Sequence, residues 1–478
     1  MKRLIFIIAS LAVACTSPSF PAIDRPSTPT SQEDMAIIDY IDIRLEKEYF
    51  WLDEVLERSD DFNRRTNWEE YLDDALLMLD TNEDDGYINS KGQRVFYSYV
   101  REIDSDTRAT STTGFGIQLH YTIIGVGDER LGLVVEHVYE GSPAAKAGVR
   151  RGDIITTRNG SQIDMNNYVS TFNAIQNNTA ATLEIGIFRQ CPLEGESEVM
   201  TLSLDKGTYE TTPIASCHVL RVEGCDERIG YMAYTQFKSE HNSELVAMLQ
   251  ELASNDIGHF ILDLRTNGGG AVTAATKLVS AMLGSEYAGK TLCELRRNPL
   301  NTSSETISKC SLEDLGFGLG AKSITIICSE NTASASELVI EGLRGLDVPV
   351  TLIGTTTEGK NCGMDVTRRT ISGKYIEYAP ITFMCFNAKG FGDYGEGIVP
   401  DLDMVADNSW GVIDEYYPLP RCGWGDYTND AALRVAIANI TGSLPANATL
   451  TRGTASSGVE PYDTLARPYI GTTLLVEE

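Results

Sequence analysis

Three short segments hold residue types that can do chemistry together: Asp263-Leu264-Arg265-Thr266-Asn267-Gly268-Gly269-Gly270, Thr332-Ala333-Ser334-Ala335-Ser336-Glu337, and Gly354-Thr355-Thr356-Thr357-Glu358-Gly359-Lys360-Asn361-Cys362-Gly363. A serine hydroxyl is a poor nucleophile until a base removes its proton, and a neutral lysine can be that base where no histidine is suitably placed. The lysine must first lose its own proton, which burial in an apolar site favours by penalising the ammonium form. Ser334 stands at the start of a predicted helix, Ala335 to Leu343, whose unsatisfied amides and positive dipole end favour an alkoxide. Each segment also has an ordinary reading. Ser334-Ala335-Ser336-Glu337 is S-x-x-E, a helix capping box, a single lysine in a loop is a solvated charge, and three glycines make a flexible turn. Ser336 competes as nucleophile, although one turn position further into the helix it faces elsewhere.

These segments need elements to hold them. From Ile229 onward, strand-like runs alternate with helical patterns: a strand at Gly230–Tyr234, a helix face of Leu245, Met248, Leu249 and Leu252, a buried strand from His259 to Leu264, and a helix from Ala271 to Leu283. Strands at Ser323–Cys328 and Pro349–Gly354 follow. Such alternation predicts a largely parallel sheet whose ligands bind beyond the strand C-termini, where the glycine run and the serine cluster both fall.

Further upstream, between about Thr110 and Asp205, short β-like runs are punctuated by Gly and Pro. Gly114-Phe115-Gly116-Ile117-Gln118-Leu119 and the long stretch VYEGSPAAKAGVRRGDIITTRNG, Val138 to Gly160, resemble a PDZ domain. The resemblance implies that the backbone N–H groups of Phe115, Gly116 and Ile117 cradle a peptide's terminal carboxylate while the peptide adds a strand to the sheet edge.

With that domain in front, the DLRTNGGG, TASASELVIEGLRG and GTTTEGKNCG segments resemble the S41 family of C-terminal processing, or tail-specific, peptidases over roughly residues 108 to 440. The resemblance implies an α/β multidomain protein with an N-terminal helical region, a PDZ domain and a crotonase-like (ClpP/crotonase-type) α/β serine protease core. It makes Ser334 the nucleophile, Lys360 the base, and the backbone N–H groups of Ala335 and of a glycine in the Gly268–Gly270 loop, Gly268 foremost, the oxyanion donors. Many members place Gln four residues after the lysine; here that residue is Met364, so support for the base falls to a group such as Asn361 or Thr357. Cys362 beside it is a disulfide partner or a buried free thiol. Gly397 to Asp401 resembles the family's strand into the closing segment, and Asn429 to Asn439 reads as a final helix.

The rest of the chain bounds the setting. Lys2 and Arg3, the apolar run Leu4 to Ala14 and then Cys15 read as a leader of residues 1–14 followed by the acceptor cysteine of a bacterial lipoprotein, or as an ordinary secretory leader with an incidental cysteine. Ala12 stands where the lipoprotein pattern usually has Leu. Residues 15–32 are a Pro-, Ser- and Thr-rich tether, 33–108 a helical domain from spacings such as Ile38, Ile41, Leu45 and Tyr49, 109–206 the PDZ domain, 207–440 the peptidase core, and 441–478 a polar tail without an assigned role. The expected location is the periplasm-facing side of a bacterial membrane, the outer one, with the lipid as sole membrane contact.

A formal net charge of −29 over 478 residues repels phosphate backbones and argues against nucleic-acid partners. Polypeptide tails or unfolded chains are the expected partners, and an adaptor lipoprotein is a further one. Five histidines without HExxH or HxxxH spacing and cysteines without paired CxxC units give no zinc site, and no cofactor is implied. Asp80, Asn82 and Asp84 alternate like calcium ligands, but Gly86 comes late and Lys91 replaces the closing Glu, so the run reads as a solvated acidic turn. With Cys15 set aside the cysteines number nine, and loops closed by Cys217–Cys225 or Cys293–Cys310 are within reach. The competing function is a peptide-binding adaptor lipoprotein with an inactive or weak core, which Met364 favours.

Overall fold

The computed structural model describes residues 31–57, 67–88, 92–103, 110–126, 131–177, 180–190, 197–406, 408–445, 459–464 and 474–476. The leader, Cys15 and the tether as far as residue 30 lie outside the described residues.

The core is a six-stranded sheet in the order Ile214–Leu220, Arg228–Tyr234, Ile257–Asp263, Ser323–Cys328, Val350–Gly354, Leu402–Asp403. Only the first pairing is antiparallel; the others are parallel, as the alternation of strands and helices predicts. Side chains alternate between faces along each strand. Met232, Phe260, Leu262, Ile324 and Ile326 pack with the helices Asn242–Ala253, Val272–Leu283 and Ala335–Gly345 on one face. Tyr231, Ile261, Ile327 and Ile353 face the helix Ala431–Thr441 on the other. Strands buried on both faces explain why these runs read as continuous apolar stretches.

A second sheet, in the order Gly270–Ala271, Leu474–Val476, Cys362–Asp365, Ile381–Asn387, Thr291–Arg297, Ile307–Ser311, lies where the glycine run and the lysine segment leave the core. The N-terminal region packs on it: Ile37, Ile38, Ile41, Tyr71 and Leu72 share one cluster with Cys362, Met364, Ile376 and Ile381. That region is not helical throughout, because Tyr99–Glu102 adds antiparallel to Lys374–Ala379. Its acidic run also differs from a solvated turn. Asp80, Glu83 and Asp84 are exposed, but Asp85 is fully buried. It accepts from the Tyr49 hydroxyl (2.8 Å), the Ser98 hydroxyl (2.6 Å) and the N–H groups of Tyr97 (3.0 Å) and Ser98 (2.8 Å), which offset part of its desolvation, although burial still pushes its carboxyl up to about 6.

The PDZ sheet runs Ser197–Asp205, Thr182–Gln190, Ile154–Arg158, Leu131–Val138, Ile117–Val126, with Val459–Thr464 added at its edge. Arg151 fixes this domain to the core by donating to the Cys422 carbonyl at 2.9 Å and lying 3.8 Å from the Trp424 ring centroid. The segment Gly397–Asp401 is a loop, unlike the strand expected there, since Gly397 has φ +89° and Ile398 N–H is drawn to the Thr357 hydroxyl. The eight cysteines among the described residues, Cys217, Cys225, Cys293, Cys310 and Cys362 included, are free thiols. Cys225 points its Sγ at the Glu227 carbonyl rather than at Cys217, and Cys293 and Cys310 stand opposite each other on paired strands.

Candidate active site

Ser334 sits between the core strand Ser323–Cys328 and the helix Ala335–Gly345, with φ 60° and ψ −111°. A non-glycine residue there stores on the order of 1–3 kcal/mol of strain and persists only where its surroundings over-determine it. They do so here. Thr332 donates its hydroxyl to the Leu264 carbonyl and Ser329 donates to the Arg265 carbonyl, tying the serine turn to the DLRTNGGG turn. Ala333 N–H and the Ser336 hydroxyl both bond the Asn267 carbonyl, so Ser336 is committed to structure. Arg265 is itself locked between buried Asp263 and Asp430.

The Ser334 hydroxyl is buried and has no hydrogen-bond partner among the described residues. It makes no side-chain cap hydrogen bond to the helix that follows. Glu337 supplies the other half of the cap by accepting Ser334 N–H at 2.8 Å. Its fully buried carboxylate also takes Gly359 N–H at 2.7 Å, Lys360 N–H at 2.9 Å and the Thr357 hydroxyl at 2.5 Å. Ser334 N–H and Lys360 N–H meet at the same oxygen, Oε2, so these two backbone nitrogens stand no more than about 6 Å apart. Burial pushes the Glu337 carboxyl up to about 7, against the pull of its donors.

Lys360 is among the largest side chains fully enclosed by the protein. Burial pulls its pKa below the ordinary lysine value, while Cys362, Glu358, Asp85 and Glu337 oppose that pull. Its Nζ lies 4.1 Å from the centroid of the Tyr97 ring, whose hydroxyl donates to Glu358 at 3.1 Å. Lys360 is therefore flanked by the N-terminal region, through Tyr97 and Asp85. Thr357 and Asn361 are engaged elsewhere: the Thr357 hydroxyl with Glu337, and the Asn361 amide with the Gly392 carbonyl at 2.9 Å. Met364 packs in the N-terminal helix cluster. Nothing local in the sequence ties Asp85 or Tyr97 to Lys360, and Glu337 was visible only as a helix cap.

The glycine turn closes the other side. A Cβ on Gly269, at φ +107°, would lie 2.8 Å from Ser334 Cβ and 3.0 Å from Ala335 N, so only glycine permits this approach. Gly269 N–H is taken by Asn267 Oδ1 at 2.9 Å and is not free to receive an oxyanion. Ala335 is the first residue of its helix, where N–H groups have no intrahelical acceptor.

In the PDZ domain Phe115 is fully buried in the domain core, Gly116 has φ +78°, and Ile117 opens the edge strand. Leu119 N–H is taken by Gln176 Oε1 at 3.0 Å. Among the described residues no group of three or more His, Cys, Asp or Glu is placed to hold a metal ion.

A family model for peptidase family S41 matches residues 228–404, and one for the PDZ domain matches residues 134–185. The chain is 23% identical over 305 residues to the Probable CtpA-like serine protease of Staphylococcus aureus (strain N315), covering 61% of this chain and 55% of that one. It is 25% identical over 239 residues to carboxyl-terminal-processing peptidase 3, chloroplastic, of Arabidopsis thaliana, covering 49% and 44%. The chain thus spans about half the length of the curated relatives it matches. A crystal structure from Bacteroides fragilis NCTC 9343 assigned to the S41 proteases superposes with a TM-score of 0.67 at 19% identity, over 84% of this chain and 97% of that one. The fold is that of an S41 protease with a PDZ domain, as the sequence led us to expect.

Proposed function

We propose, for a chain that carries a peptidase family S41 domain behind a PDZ domain, that it is a serine endopeptidase acting on polypeptide tails or unfolded chains. The observation that carries this reading is the Glu337 carboxylate, which holds the backbone of Ser334 and of Lys360 on one oxygen atom while the Ser334 hydroxyl stays unspent.

In this mechanism neutral Lys360 takes the proton of Ser334 Oγ as the oxygen attacks a peptide carbonyl. The N–H groups of Ala335 and Gly268 receive the oxyanion. Lys360 returns the proton to the leaving amine, and an ester to Ser334 remains. Water, deprotonated by the same lysine, then hydrolyses the ester. The PDZ loop at Phe115, Gly116 and Ile117 receives the tail, with apolar side chains preferred because backbone amides read only the carboxylate. Cys15 is the acceptor of a lipid that keeps the protein on the periplasmic side of a bacterial membrane, the outer one.

Casein hydrolysis across neutral to alkaline pH tests this. The rate is expected to rise with pH through one ionisation, as the lysine becomes neutral, and to fall to background in Ser334→Ala while tail binding persists. Binding without hydrolysis in both proteins at every pH would replace the peptidase with a peptide-binding adaptor.

A further inference from the structure

Two strand edges, one on the PDZ sheet and one beside the glycine run and the Lys360 segment, are filled by residues 459–464 and 474–476 of this chain. At the PDZ end, Val459–Thr464 pairs antiparallel with the edge strand Ile117–Val126, from Val459 opposite Val126 to Thr464 opposite Thr122. It therefore runs toward the Gly114–Ile117 loop, the direction of a peptide that adds to such an edge with its end at the loop. At the catalytic end, Leu474–Val476 runs parallel between Gly270–Ala271 and Cys362–Asp365, with Leu474 opposite Gly270 and Leu475 opposite both Ala271 and Met364. Those two neighbours continue directly from the oxyanion glycines and from the Lys360 segment. An extended polypeptide lying there contacts the backbone on both sides of the site.

We propose that these two strands are a resident occupant of the substrate path, which keeps the site closed until an incoming polypeptide adds to the same edges in their place. The proposal rests on the peptidase reading for what is closed, and on the strand pairings for what closes it. The occupant is built to be displaced. Pro461 brings no N–H to the ladder, the register shifts between Pro461 and Asp463, and the inner strand has only three residues. Tethering compensates for this weakness, since a linked segment competes at an effective concentration on the order of millimolar.

The test places a recognition site for an exogenous protease after Pro445 in the full chain, so that the segment is released after folding. In the Ser334→Ala background, a fluorescent peptide copying residues 459–476 is titrated before and after the cut. Binding is expected to tighten by at least about tenfold on cutting. In the Ser334 protein, casein hydrolysis is expected to rise on cutting and in Leu475→Pro, and to fall again when the peptide is added back. Equal peptide affinity and equal rates before and after release would overturn the proposal. Tightened binding without hydrolysis in any form would overturn the peptidase reading and leave the occupancy standing.

Discussion

Replacing Lys360 with methionine is expected to lower casein turnover by about 10²- to 10⁴-fold, the range over which a positioned general base contributes, with the fold intact. Methionine matches the length of the aliphatic stem and removes a cation whose burial is costly. The variant therefore gains stability. The gain is largest below the depressed lysine pKa, where the wild-type ammonium is charged and enclosed, and fades as pH rises toward the ordinary lysine value. Lys360→Arg loses activity equally, because a guanidinium does not deprotonate. Initial rates and thermal melts on the same preparations check both statements. A Lys360→Met protein within a few-fold of wild type would mean that some other group takes the serine proton.

Glu337→Gln is the second large effect. Oε1 of Glu337 accepts from Thr357 and Gly359, and Oε2 from Ser334 and Lys360. An amide keeps one oxygen and turns its NH₂ toward two donors, which then lie buried without acceptors. At about 1–3 kcal/mol for each such donor, the expected loss is about 2–6 kcal/mol in chemical denaturation. Well below the melting temperature, kcat is expected to fall with KM little changed, since Glu337 is fully enclosed and holds the backbone of Ser334 against that of Lys360. A variant with wild-type kcat would show that the shared carboxylate is not what aligns them.

These two residues also show how far the site was legible in the sequence. The parallel core was readable because its strands are buried on both faces, so that Ile257–Asp263 and Ser323–Cys328 appear as mainly apolar runs. Ser334 and Lys360 could be singled out from chemistry and from their family resemblance. Glu337 was seen as a cap, since its partner to Ser334 is three residues away while those at Thr357, Gly359 and Lys360 come from a separate loop. Asp85 looked solvated in its acidic run, and only the convergence of Tyr49, Tyr97 and Ser98 turns it inward. Tyr97 meets Lys360 through tertiary packing alone. The strand pairings of 459–464 and 474–476 were equally hidden, because an edge recruits a strand through backbone groups that every sequence carries.

The central claim, that Ser334 is a nucleophile activated by Lys360, is tested most directly by intact-mass and peptide analysis after exposure to a fluorophosphonate that modifies activated serines. The account predicts a single adduct on Ser334, forming faster as pH rises, absent in Ser334→Ala and strongly slowed in Lys360→Met. An adduct on Ser336, no adduct at any pH, or labelling of Ser334 at an undiminished rate without Lys360 would contradict it.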